Sequence, residues 1–168
     1  MIIPGKTALA RGIITGLRDH KLQTQPCGVD LSLRHIMRWS TSGTIDFTNR
    51  FRVTAKTDII PFTGTPPQLH LDRADYLVQF NETVDVPLNP VGQVFVRSSL
   101  WRSGVNVSAG VMDSGYKGVV GAMLQVVNPH GITLHERARL AQMVFHEMSE
   151  DVEGYDGVYQ GAVGLAGL

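Results

Sequence analysis

A chain of 168 residues is long enough for one domain with a real core and too short for two ordinary ones. Hydrophobic residues at 43% against 18% charged exclude a disordered chain, and 15 basic side chains balanced by 15 acidic ones leave no net field to hold nucleic acid or a membrane surface. Cys27 stands alone, which excludes an internal disulfide. With no long apolar run at the start and no stretch near the ~20 apolar residues of a membrane span, a cytoplasmic protein is expected.

In chain order, Thr7 can cap a short helix over roughly residues 8 to 17. Val29, Leu31 and Leu33 then alternate with Asp30, Ser32 and Arg34, the period of a half-buried strand, which predicts that Asp30 points away from the core. Residues 40 to 70 are rich in Thr, Ser, Gly and Pro and read as loops and edge strands. Further strands are predicted at about 75 to 80, 93 to 97, 105 to 109, 119 to 127 and 140 to 146, separated by Gly, Pro and Asn turns. Val119 to Val127 is apolar on both faces, as a strand covered on two sides would be, with a subunit as one possible cover. Many short strands and little helix predict a mainly β sandwich or barrel formed as a single domain over residues 1–168. Its Gly-rich tail, about 154 to 168, is expected to be mobile unless something binds under it.

Three segments carry chemistry. Residues 109 to 118 place Asp113 and the ring of Tyr116 at a glycine-bounded turn, and Asp113 is the only acid between Asp85 and Glu136. An isolated carboxylate beside an aromatic suits a small flat ligand and an activated water. Arg97-Ser98-Ser99-Leu100-Trp101-Arg102-Ser103-Gly104 offers guanidinium forks, hydroxyls and a helix start, a phosphate-binding composition; read in isolation, a capped surface helix with solvated arginines is the simpler account. Gln142, an amide among apolar residues, must satisfy backbone groups or meet a ligand, because an unpaired buried amide costs roughly 1–3 kcal/mol. The six histidines show no metal-binding spacing and are assigned no role. Trp39 and Trp101 could line a pocket or pack in the core, with the core expected for Trp39.

Taken in order, Gln25 to Leu31, Arg97 to Gly104, Gly110 to Gly118 and Arg139 to Gln142 resemble the first four motifs of the trimeric deoxyuridine triphosphatases and metal-independent dCTP deaminases, and the archaeal-type nucleotidohydrolases among them. Gly154 to Gly161 is similar to the fifth, without the arginine and phenylalanine usual in triphosphatases. The resemblance implies a distorted jelly-roll forming a homotrimer, with sites built from more than one subunit. It implies that Asp113 activates the water attacking the α-phosphorus of dUTP, that Tyr116 packs on the deoxyribose, and that backbone near Gly110 and Val111 pairs with uracil. Arg97, Ser98, Ser99, Arg102 and Gln142 would hold the triphosphate with Mg²⁺, Asp30 would meet the ion's waters, and Tyr159 and Gln160 would meet substrate from the tail. The resemblance also sets Gln125 where the deaminase branch carries a proton-shuttling glutamate. An amide cannot take a proton from water near neutral pH, so dUTP diphosphatase is the expected activity and Gln125 a substrate-side amide. The alternatives are a dCTP deaminase, bifunctional or not, and a catalytically silent nucleotide-binding regulator.

Overall fold

The regular structure is almost all antiparallel sheet. The computed structural model describes residues 1–165. Its elements in chain order are β1 (Ile2–Ile3), α1 (Gly5–Ala10), β2 (Ile14–Thr15), α2 (His20–Gln23), β3 (Thr24–Gln25), β4 (Gly28–Trp39), β5 (Thr57–Ile60), β6 (Gln68–Leu71), β7 (Asp75–Asp85), β8 (Pro90–Val96), α3 (Ser98–Trp101), β9 (Val105–Ser108), β10 (Val111–Met112), β11 (Lys117–Val126), β12 (Ile132–His135) and β13 (Arg139–Glu147). One curled sheet runs β10-β8-β13-β4-β7-β11-β9, with β1, β2, β3 and β5 as short additions at its margins. β6 and β12 form a separate pair.

The long strands β4, β7, β11 and β13 carry the core. Tyr76, Phe80, Phe145, Leu31, Leu33, Leu124 and Leu140 are fully buried, each worth about 1.5–3 kcal/mol of transfer free energy. β4 pairs along one part of its length with β13 and along another with β7 and β5, so it turns a corner between two faces. Register breaks on both sides, between Leu33 and His35 against β7 and between Arg139 and Ala141 against β4, put the bend there.

The helix near the start is shorter than expected. It follows Pro4, has no side-chain cap, and stops before Gly12, whose φ of +68° ends it. The expected outward turn of Asp30 is also corrected. The first six residues of β4 are buried on both faces, α1 and α2 pack against the strand, and Asp30 is only 2% exposed. Trp39 sits at the end of β4 at 41% exposure, outside the core expected for it.

The tail is laid along the sheet. Tyr155 N–H donates to the Ser114 carbonyl at 2.8 Å, Gly161 N–H to the Lys117 carbonyl at 2.8 Å, Val119 N–H to the Ala162 carbonyl at 3.0 Å and Leu165 N–H to Gln79 Oε1 at 2.9 Å. Residues 166–168 of the expected tail lie outside the described residues. Among the described residues, no helix is long and apolar enough to cross a membrane.

Candidate active site

β10 and β11 are joined by a tight turn. Tyr116 N–H donates to the Asp113 carbonyl at 3.1 Å, and Gly115 between them adopts φ +80°, a conformation that glycine takes without penalty. The turn is anchored from inside. Ser114, 4% exposed, donates its hydroxyl to the Pro90 carbonyl at 2.8 Å, and Gly115 N–H reaches the Val86 carbonyl at 2.8 Å. With Ser114 held inward, Asp113 faces out, exposed, and its carboxylate has no ion-pair or hydrogen-bond partner among the described residues.

Asp113 stands on the wall of a cavity of about 460 Å³, within the range that holds small ligands. Gly110, Val111 and Met112 line one side, Tyr116, Val119, Gly121, Ala122 and Met123 the floor, and Trp39, Thr54 and Ala55 a rim. Tyr155, Tyr159, Ala162 and Leu165 bring the tail in as a further wall. A Cβ placed on Gly110 would meet nothing within 4 Å, so that stretch of backbone borders open space. A Cβ on Gly121 would collide with the Leu165 side chain, so the missing side chain there admits the tail.

Tyr116 is fixed within this wall. Its hydroxyl donates to the Val119 carbonyl at 2.9 Å, and its ring meets Tyr155 edge-on at a centroid distance of 5.6 Å. Burial, and then the nearby Tyr155, push the phenol above its usual range, so it is a neutral donor near pH 7. Tyr159 lies under the Arg52 guanidinium at 5.7 Å. Gln160 serves as a clasp rather than a free amide. Its Oε1 accepts from Lys117 N–H at 2.8 Å, and its Nε2 donates to the carbonyls of Gly115 at 2.8 Å and Tyr155 at 3.1 Å.

The anion-binding residues read from the sequence gather elsewhere. Asp30 Oδ2 pairs with Arg97 Nε at 3.0 Å and Arg139 Nη1 at 3.1 Å, while Gln142 Nε2 donates to Oδ1 at 3.5 Å. Burial raises the Asp30 pKa, and the charges of Arg97 and Arg139 pull it partway back. A metal role for Asp30, through water, would have to reach past both guanidinium groups. Ser98, Ser99 and Arg102 lie on or just after α3, exposed, with the Arg102 guanidinium 4.7 Å from the Trp101 ring. None of Arg97, Ser98, Ser99, Arg102 or Gln142 lines the cavity of the same chain. Gln125 lies two residues beyond Met123 on β11, outside the cavity lining, and its Oε1 accepts from Asn106 Nδ2 at 3.3 Å.

Trp39 lines the cavity, the alternative to its expected place in the core, and Met112, Met123 and Tyr155 line it as further residues. Val119 to Val127 is apolar on both faces, so its sequence carries no alternation that marks Val119, Gly121 and Met123 as the cavity side. Tyr155 carries no such signal either, since long-range chain return brings it in.

A family profile described as dCTP deaminase-like matches residues 6–148. A curated protein of Methanosarcina mazei, named probable deoxyuridine 5'-triphosphate nucleotidohydrolase, is 38% identical over 143 residues, 84% of this chain and 83% of that one. Another, of Methanocaldococcus jannaschii, named deoxyuridine 5'-triphosphate nucleotidohydrolase, is 38% identical over 140 residues, 83% of this chain and 88% of that one. The crystal structure of 2'-deoxycytidine 5'-triphosphate deaminase from Agrobacterium tumefaciens superposes with a TM-score of 0.64 at 20% identity, covering 87% of this chain. This chain spans about half of that one, 47%. At that identity the likeness is one of fold.

Proposed function

The chain belongs to the dCTP deaminase-like family, and from that footing we propose that it is a dUTP diphosphatase, converting dUTP to dUMP and pyrophosphate in the cytoplasm and so limiting uracil in DNA. The observation that carries this reading is the exposed carboxylate of Asp113, unpaired among the described residues, on the wall of a nucleoside-sized cavity beside the fixed ring of Tyr116.

In this reading uracil borders the backbone at Gly110 and Val111, where no side chain blocks approach. The deoxyribose lies on Tyr116, whose hydroxyl bond to Val119 keeps the ring from swinging aside, so a 2'-hydroxyl has no room. Asp113 orients a water and takes its proton as the water oxygen bonds to the α-phosphorus. The bond to the bridging oxygen then breaks and pyrophosphate leaves. A positioned base supplies ~10²–10⁴-fold, and donors on the phosphates supply the rest. Tyr159 and the Gln160 clasp hold the tail against the same turn.

The donor set fits Mg²⁺ only as an ion that arrives on the triphosphate. Among the described residues no three His, Cys, Asp or Glu side chains cluster, and Asp30 is engaged by two arginines. Magnesium commonly binds mainly through substrate phosphates, where it neutralises charge and aligns them. Arg97, Ser98, Ser99, Arg102 and Gln142 complete the site only if another copy presents them, so the reading requires an assembly, and a homotrimer is proposed. Light scattering of the purified protein tests this, with a three-chain mass expected and a monomer contradicting it.

Deamination is the competing chemistry within the family. Gln125 can donate and accept hydrogen bonds but cannot carry the proton that releasing ammonia from cytosine needs. Incubation with Mg²⁺ and either dUTP or dCTP decides. Pyrophosphate from dUTP without ammonia from dCTP is expected, ammonia from dCTP would replace this reading with the deaminase, and neither product would leave a nucleotide-binding regulator.

A further inference from the structure

A second cleft, of about 360 Å³, opens where β4 bends, and it belongs to none of the machinery above. Arg18, Arg34 and Arg137 converge on it with His35, Asn81 and Glu136. Three guanidinium groups against one carboxylate leave the cleft strongly positive. Among the described residues none of the three arginines takes part in an ion pair. Asn81 Oδ1 accepts from Arg18 Nη2 at 2.8 Å, which aims that fork, while Asn81 Nδ2 is itself held by the carbonyls of Ser32 at 3.2 Å and Leu33 at 3.0 Å.

The backbone reinforces the placement. Arg137 sits at φ +64° in the turn closed by Ala138 N–H on the His135 carbonyl at 3.1 Å. That left-handed position costs an arginine more than it would a glycine, so the side chain is kept there against local preference. The register break between Leu33 and His35 against β7 falls at Arg34, which lines the cleft together with both of those neighbours. Burial, and then the charge of Arg34, hold the His35 imidazole below its usual range, leaving a neutral ring able to donate or accept.

We infer that this cleft binds a polyphosphate anion of pyrophosphate size, gripped by the guanidinium forks of Arg18, Arg34 and Arg137. Guanidinium matches phosphate oxygens two at a time, and a cleft of about 360 Å³ has room for an anion of two phosphates. The inference does not depend on how the Asp113 cavity is read, because binding can be measured without turnover.

The test is calorimetric titration of inorganic pyrophosphate into the full chain without divalent ions at low salt. The comparison is with the double variant Arg34→Gln, Arg137→Gly and with a second variant, Ser99→Ala, Arg102→Ala, which strips the other proposed phosphate-holding groups. Affinity is expected to fall at least about tenfold in the first variant and to persist in the second. The Arg137→Gly change should also raise the melting temperature, so weaker binding by a better-folded protein cannot be laid to misfolding. Unchanged binding in the first variant, or complete loss in the second, overturns the inference. So does a change of assembly mass without a change in pyrophosphate binding, which would mean that an acidic side chain of another copy fills the cleft.

Discussion

Replacing Asp113 by asparagine removes a base and almost nothing else. The carboxylate is exposed and has no partner among the described residues, and the turn is held by main-chain bonds and by Ser114, none of which involves the Asp113 side chain. Stability should therefore move by no more than about 0.5 kcal/mol. The amide can still hold a water but cannot take its proton, so the variant forfeits the ~10²–10⁴-fold of a positioned base, about 2.7–5.4 kcal/mol of barrier at ~1.36 kcal/mol per decade. The assay pairs pyrophosphate release from dUTP under saturating Mg²⁺ with the affinity of a non-hydrolysable imido analogue. Expected are a fall in kcat of that size, an analogue Kd within about threefold of the parent, and an unchanged melting temperature. An undiminished kcat would remove Asp113 from the role of base. A Kd that worsened in step with kcat would make it a binding group.

Other consequences follow from the same geometry. Tyr116→Ala should cost about 3 kcal/mol of stability, since the ring is 8% exposed and tied to Val119, and should cut the preference for dUTP over UTP at least tenfold in kcat/KM; an unchanged ratio would place sugar selection elsewhere. Gly110→Val projects into open space, so it should leave the denaturation midpoint in place while raising KM for dUTP; a destabilised protein with unaltered KM would contradict the placement of the base. Asp30 has a pKa raised in the folded state, so its own titration adds stability that is full below the ordinary value of 3.8 and is lost as pH rises through the raised value. Urea midpoints of the parent should thus decline relative to Asp30→Asn as pH climbs from about 4. A parent that gained on the variant over that range would mean that the two arginines outweigh burial.

What was legible in the sequence was local. The strands that became β7, β8, β9, β11 and β13 announced themselves by apolar period and flanking turn residues, and the Asp113 turn by its glycines and lone acid. The helix is shorter than a Thr7 cap implies because Gly12 stops it. Asp30 was turned the wrong way because alternation reports a strand's period and not which neighbours cover it. The partners that make its burial tolerable, Arg97 and Arg139, are far along the chain. The arginine and serine segment does not line the Asp113 cavity of the same copy, and a site shared between subunits, as the family resemblance implies, is not visible in the period or composition of one chain. That Arg34 and Arg137 share a cleft is not visible in composition, because it depends on a bulge and a left-handed turn.

The central claim is that Asp113 directs water to the α-phosphorus of dUTP. Hydrolysis in ¹⁸O-enriched water, with mass analysis of both products, tests it most directly. One ¹⁸O in dUMP and none in pyrophosphate is expected. Label in pyrophosphate would mean attack at the β-phosphorus, and no labelled product at all would mean that this cavity holds nucleotide without cleaving it.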